Sequence, residues 1–453
     1  MLELAVSEVA GLVGAATWPE GTVTGEVRID SRAVEPGDLF VALAGERVDG
    51  HEFAATAVER GAVAVIVERP TTVRDLVVPD SQRALQDLAR GVFGRQQPLT
   101  FGITGSSGKT STKDLLAHVL SAFGDTLAPA GNFNNEIGMP LTATQRTAAT
   151  RYAVLEYGAR GVGHLAFLCS IARPDISIVL NVGSAHLGEF GSVEAIAVAK
   201  GELVEAARTR AVLNADDPRV AAMRSRTDVP VVTYGLSKDA DVRATDVRLG
   251  DDGRASFRVD GEQVALQLVG EHHVSNALAV LAAVRGEVTD DLPRLVAALG
   301  EARPASRWRM EVTERPDGVT VVNDAYNANP ESMRAALKTL AVMSAGKSRR
   351  TWAVLGAMGE LGDNASTAHL DLGRFVVRLD VSRLVVIGSA AGGIHAGAVL
   401  EGSWGEESVH VDDVDAALAL LRAELAPGDV VLVKASRSAG LERVAAGLLA
   451  GSP

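Results

Sequence analysis

A chain of 453 residues is long enough for about three domains of ordinary size. An apolar fraction of 47% and a charged fraction of 22% exclude a disordered chain. With 44 Lys and Arg against 57 Asp and Glu, the net charge of −13 has the wrong sign for a protein that lives on broad nucleic-acid contacts, and the single cysteine, Cys169, excludes an internal disulfide or a cysteine-rich zinc site.

The opening stretch MLELAVSEVAGLVGA carries Glu3 and Glu8 where a secretory signal needs Lys or Arg. No stretch reaches about 18 uninterrupted apolar residues, so the expectation is a cytoplasmic protein without membrane insertion. From there short β-branched runs alternate with alanine-rich helical patterns, the rhythm of parallel α/β sheets. The turn Pro36-Gly37-Asp38 precedes a strand in DLFVALAG, a helix is expected near 51–60, and a strand over 62–68. These make a small α/β unit, residues 1–97, ending at a joint over 96–98.

A second unit, residues 98–303, opens with a strand over 100–104 and a helix from about Lys109. Further strands are predicted at 152–156, 175–181 and 211–214. The stretch 239–268 alternates polar and apolar residues around the turn Asp252-Gly253 and predicts an antiparallel insertion, followed by a helix over 274–285. The polar stretch 301–309, with Pro304, reads as a second joint. In the last unit, residues 304–453, strands are predicted at 319–323, 352–355, 384–387 and 430–433, with helices between them and no GxGxxG. The expected fold class is α/β with three domains: a small N-terminal α/β domain, a central phosphate-loop ATPase-like parallel sheet, and a Rossmann-like C-terminal domain.

The sharpest local signal is Phe-Gly-Ile-Thr-Gly-Ser-Ser-Gly-Lys-Thr-Ser at 101–111. Its glycines let the backbone turn tightly and aim successive N–H groups inward, and the following helix adds its positive end. Gly105, Ser106, Ser107, Gly108 and Ser111 would cradle phosphates; Lys109 would reach the terminal ones and the Thr110 hydroxyl would ligate magnesium. The first glycine of GxxxxGK[ST] would fall at Ile103, so the general motif is matched only in part. ATP or GTP binding follows, but not the use made of it.

Six further blocks stand in order along the chain: GNFNNEIGMP at 131–140, EYGA at 156–159, NVGSAHLGEFG at 181–191, AKGE at 199–202, GEHHVSN at 270–276 and NDAYNANP at 323–330. Together with the phosphate loop they resemble the Mur ligase family, the ATP-dependent amide-forming enzymes of peptidoglycan precursor synthesis. The resemblance implies three domains, with the UDP end of one substrate on the first, ATP on the second, and the amine brought by the third. It implies ATP as co-substrate and Mg2+ as cofactor, and a monomer. The DAYNANP block and the stretch 30–42 imply UDP-N-acetylmuramoyl-tripeptide as the acceptor and D-alanyl-D-alanine as the amine.

Residue by residue, the resemblance implies that Thr110, Glu156 and His186 are magnesium ligands, and that Lys200 is a further one after CO2 converts it to a carbamate. Without the resemblance, Lys200 reads as a helix-surface lysine. Asn276 is implied at the adenine, with His272 in the same block; Arg309, at the second joint, is implied at the nucleotide, with Arg307 close enough to compete. Asp324 is implied at the ribose, with Asn327 and Asn329 beside it. Asn132, Asn134 and Asn135 are expected to face the acceptor's phosphates or sugar. Ser31 and Arg32 are expected in the uridine site, and Lys434, Ser436 and Arg437 at the dipeptide's carboxylate. Three alternatives remain. The family's diamino-acid-adding ligase carries an Asp-Asn-Pro-Arg block that this chain lacks. A folate polyglutamylating ligase lacks the N-terminal uridine domain. A phosphate-loop switch leaves Glu156, His186 and Lys200 unexplained.

Overall fold

The computed structural model describes residues 2–45, 48–71, 74–95, 97–129, 131–185, 187–344, 349–403 and 407–450. Gln96, in the first expected joint, and His186, an expected magnesium ligand, lie outside the described residues.

Three parallel-sheet units follow one another along the chain, as the α/β rhythm predicts. The first sheet orders Val27–Arg28, Leu39–Val41, Ala64–Val67 and Asp75–Val77, all parallel. The second has seven parallel strands in the order Val242–Arg243, Val231–Gly235, Arg210–Asn214, Ile176–Val179, Leu99–Thr104, Tyr152–Glu156 and Thr126–Leu127. Its inner strands are buried on both faces, which is why they read as largely apolar runs, broken only by Ser177 and the strand-end Glu156 in the two cases Ile176–Val179 and Tyr152–Glu156. The third sheet orders Glu311–Glu314, Thr320–Asn323, Val430–Lys434, Thr351–Leu355, Arg383–Ile387 and Ser408–Val411. Only its first pair is antiparallel.

The expected insertion is a three-stranded antiparallel sheet, Thr245–Leu249, Arg254–Val259 and Glu262–Val269. Val242–Arg243, at the start of that stretch, instead completes the central parallel sheet. The insertion shares one core with the helix His272–Val284, which buries eleven of its residues and backs the phosphate-loop helix Lys109–Ser121. Each Leu or Val removed from water there contributes about 1.5–3 kcal/mol, so this helix is a firm base for the loop.

In open parallel sheets, ligands bind beyond the carboxyl ends of the strands. Thr104, Glu156 and Val179 end three central strands, and Asn323 and Lys434 end two strands of the third sheet. These two sets of ends face each other across one cavity.

Candidate active site

The cavity holds about 470 Å3 and is lined from both the second and the third unit. The turn between Leu99–Thr104 and Lys109–Ser121 forms its floor. Gly108 has φ +80°, a left-handed conformation that favours glycine, and a Cβ there would stand 3.0 Å from Asn276 Oδ1. Ser107 N donates to Asn181 Oδ1 (2.9 Å), and Asn181 Nδ2 donates back to the Ser107 carbonyl (3.1 Å). Gly183 N donates to Ser106 Oγ (2.8 Å). The loop is therefore pinned by the segment after Ile176–Val179.

Lys109 Nζ donates to the Gly105 carbonyl (2.7 Å). Desolvation holds Lys109 below the usual lysine range, with Glu156 opposing that shift and Arg309 adding to it. The Thr110 hydroxyl donates to Glu156 Oε2 (2.9 Å), and Asn134 Nδ2 donates to Glu156 Oε1 (2.7 Å). Glu156 is 1% exposed, so its two oxygens are oriented before any ligand arrives. Arg309 Nη2 donates to Thr110 Oγ1 (2.9 Å), and its Nε is buried without a partner. Lys200 is 4% exposed and has no hydrogen-bond partner among the described residues. Burial first, and Lys109 second, push it well below the lysine range.

The other expected residues divide. Ser106, Ser107, Gly108, Ser111, Asn132, Asn134, Asn135, Asn276, Arg309, Asp324, Asn327, Asn329, Lys434 and Arg437 line the cavity with Lys109, Thr110 and Glu156. Several are also engaged structurally. Asn135 Oδ1 accepts from Gly138 N (2.7 Å) and Asn329 Oδ1 from Ser332 N (2.8 Å). Lys434 Nζ donates to Asp324 Oδ2 (2.6 Å) and to the Asn327 carbonyl (2.8 Å). Arg437 pairs with Glu442 Oε1 (3.0 Å).

Ser31, Arg32, Gly105, Lys200 and Ser436 are not among the lining residues. Ser31 begins the short turn Ser31–Ala33, and Arg32 is clasped by Asp30 (2.9 and 2.7 Å). Ser436 Oγ accepts from Gly359 N (2.7 Å). The rings of His272 and His273 stand 4.2 Å apart on the wall, tilted by 38°, and burial holds both below the usual histidine range.

Sequence reasoning passed over Asn181, Arg160, His164, Tyr326, Glu331 and Glu360 as site residues, all of which line the cavity. Asn181 could have been found: it follows a central strand as Asp324 follows one in the third sheet. Glu331 gives no such signal. It sits in the first turn of Pro330–Ser344, an ordinary place for an acid, yet accepts from Ser184 N (3.0 Å) and Ser184 Oγ (3.1 Å) across the two units.

A phosphate loop facing a second α/β unit across a polar cavity defines a nucleotide-binding site shared by two units. Residues 24–92 match the catalytic domain of the Mur ligase family, residues 103–284 its middle domain and residues 308–437 its glutamate ligase domain. The UDP-N-acetylmuramoyl-tripeptide–D-alanyl-D-alanine ligase of Mycobacterium bovis is 48% identical, with 99% of this chain and 98% of that one covered. MurF of Acinetobacter baumannii superposes with a TM-score of 0.87 at 30% identity over 99% of both chains. MurF of Thermotoga maritima, solved with ADP, gives 0.81 at 31% identity over 94% of this chain and 98% of that one. The chain belongs to the Mur ligase family.

Proposed function

We propose that this chain uses ATP to join D-alanyl-D-alanine to UDP-N-acetylmuramoyl-tripeptide, releasing ADP and phosphate. One observation carries the reading: phosphate-loop residues of the second unit and Asp324, Asn327 and Asn329 of the third line one cavity. The whole-length likeness to ligases of that name supports the choice within the family.

A carboxylate is a poor acyl donor because its leaving group would be oxide. The acceptor's carboxylate oxygen attacks the γ-phosphorus and ADP leaves, giving an acyl phosphate. The amine nitrogen then attacks the acyl carbon, phosphate leaves, and the nitrogen gives up a proton. Negative charge gathers throughout, so preorganised cations and N–H donors do most of the work. Lys109 and the loop's N–H groups hold the phosphates, while Arg309 reaches the same place from the joint.

The oxygens of Thr110 and Glu156, buried and 2.9 Å apart, suit a hard cation such as Mg2+. Among the described residues no group of three or more His, Cys, Asp or Glu could hold a metal. A Mg2+ ion there would neutralise phosphate charge. Lys200 could join the set only as a carbamate, and its lowered basicity favours the neutral amine that adds to CO2. His186 is assigned to the same set from the resemblance alone.

We propose a monomer. Among the described residues no helix is long and apolar enough to cross a membrane. We propose the cytoplasm from the reaction, because ATP is spent there on a UDP-linked precursor. The domain limits proposed are 1–97, 98–303 and 304–453, with Ser31 and Arg32 of the first domain at the uridine. The test is phosphate release with each substrate omitted in turn. Release must need both the UDP-peptide and the amine; release with neither would assign a nucleotide switch instead.

A further inference from the structure

Arg309 is the residue of the 301–309 joint that touches the phosphate loop, and the backbone around it is unusual. Trp308 has φ +60° and Met310 has φ +50°, both left-handed and neither glycine. A bulky side chain seldom adopts that conformation without compensation. Here the compensation is visible. The Arg437 guanidinium lies 4.1 Å from the Trp308 ring centroid, and the Trp308 and Tyr326 rings stand 6.5 Å apart. The Arg309 guanidinium lies 4.2 Å from the Tyr326 centroid. The four side chains form a ladder of cation, ring, ring and cation.

The backbone of 308–310 is tied down as well. Tyr326 N donates to the Trp308 carbonyl (3.2 Å), and Met310 N donates to Asp324 Oδ1 (3.1 Å). Just before the bend, Ser306 N donates to Asp114 Oδ2 (3.1 Å), on the phosphate-loop helix. Residues 308–310 are thus docked on the third unit, while Ser306 is docked on the second. The bend between these anchors turns Arg309 toward Thr110.

We propose that Trp308 is a positioning residue: its ring, held by Arg437 and Tyr326, keeps the joint in the left-handed bend that aims Arg309 at the phosphate loop. Without the ring the left-handed backbone at 308 keeps its bond from Tyr326 N but loses the stacking that offsets its strain. The bend then relaxes and Arg309 leaves Thr110. The inference rests on the proposed nucleotide site but not on the identity of the amine or the acceptor.

The test is the affinity of the full chain for a non-hydrolysable ATP analogue with magnesium, measured by calorimetry, beside thermal melting. Trp308→Ala is expected to weaken binding roughly tenfold, the scale of one uncompensated left-handed residue. Trp308→Phe keeps a ring face for Arg437 and should bind close to the parent. Trp308→Gly adopts the bend without strain and should fall between. In an Arg309→Ala background, Trp308→Ala should cost nothing further, because the ring acts through that arginine. A purely structural tryptophan would lower the melting temperature and leave this coupling at zero. Parental affinity in Trp308→Ala, or the same loss with and without Arg309, overturns the proposal. If Trp308→Ala is unfolded, Trp308→Leu against Trp308→Phe decides, and equal affinities overturn it. Amine-dependent phosphate release tests the ligase reading separately, since analogue binding needs neither acceptor nor amine.

Discussion

Lys434 and Asp324 meet at 2.6 Å at the ends of adjacent strands, with side chains 3% and 14% exposed. The same aspartate accepts from Met310 N, so the pair fixes the wall of the cavity as well as facing it. Lys434 is therefore not a spare cation awaiting a substrate carboxylate. Breaking a buried pair leaves one charge unpaired and costs about 3 kcal/mol or more. Lys434→Met and Asp324→Asn should each lower stability on that scale in urea melts. The double variant should lose clearly less than the sum, because it leaves no stranded charge. Simple additivity would mean the two residues act independently.

Lys109→Ala should abolish ligation, by roughly 100-fold or more, without unfolding the chain. Its ammonium lines the cavity and its one bond is to a carbonyl of its own loop, so little packing is lost. Phosphate release beside circular dichroism checks both halves. Near-parental turnover by a folded Lys109→Ala chain would sink the phosphate-loop assignment.

Lys200→Ala should be severely impaired and partly restored by acetate or formate, which can supply an anion where the carbamate would lie. Activity of the parent should fall in CO2-depleted buffer. Full activity there, with no carbamate in a high-resolution map, contradicts the modification.

How much of this was legible depends on how local each signal is. The phosphate loop was readable because its chemistry needs glycine, lysine and threonine side by side. Lys200 read as a surface residue, although a signal was present: it lies four residues after Ile196 and three before Leu203, on the buried stripe of Val193–Ala206. Arg309 could not be separated from Arg307 by spacing, because the left-handed turns at Trp308 and Met310 decide which one points inward. The edge strand Glu311–Glu314 was invisible, since all four residues are exposed and nothing alternates. Cross-unit contacts such as Glu331 with Ser184 depend on how separate sheets meet, which no local pattern encodes.

The histidine pair gives a pH signature. Burial pushes His273 well below the usual histidine value, so the folded chain keeps it neutral while the unfolded chain takes up a proton below about pH 6.5. Stability from this residue is complete above pH 6.5 and is lost as pH falls below it, at up to about 1.4 kcal/mol per pH unit. His273→Asn should therefore show a shallower fall in urea midpoint between pH 7.5 and 5.5 than the parent. Parallel falls would mean that His273 titrates normally.

One contact between the second and third units is backbone against backbone. A Cβ on Gly188 would stand 3.1 Å from Gly362 N and 3.2 Å from its Cα, and Gly188 N donates to the Glu360 carbonyl (3.2 Å). A valine there should hold the third unit away from the loop while leaving each unit folded. Gly188→Val should lower kcat and enlarge the radius of gyration by small-angle scattering with ATP analogue and UDP-substrate. The parent should compact with those ligands as the units pivot about the 301–309 joint. Parental compaction and turnover in Gly188→Val would remove this contact from the closing step.

The last prediction concerns the amine. D-alanyl-D-alanine offers one ammonium, one carboxylate and two methyl groups, so its site needs one cationic anchor beside a shallow apolar surface. Lys434 is occupied by Asp324, and Arg309 is turned to Thr110. Arg437 stacks on Trp308 and pairs with Glu442 at the rim; its side chain is 52% exposed, and it lines the cavity. It can be drawn to an incoming carboxylate, because a surface ion pair is worth little and is readily exchanged. Meso-diaminopimelate brings a second ammonium and a second carboxylate. Leaving that end buried without partners would cost at least several kcal/mol, about a thousandfold in selectivity. The chain has no Asp-Asn-Pro-Arg block whose arginine could pair it. A competition between the two amines, each with its matched UDP-peptide acceptor, should give ligation of the dipeptide alone. Arg437→Gln should raise the KM for D-alanyl-D-alanine about tenfold or more while leaving the KM for the acceptor near its parental value. Preferential ligation of diaminopimelate would move the chain to another place in the family, and an unchanged KM in Arg437→Gln would put the anchor elsewhere on the wall.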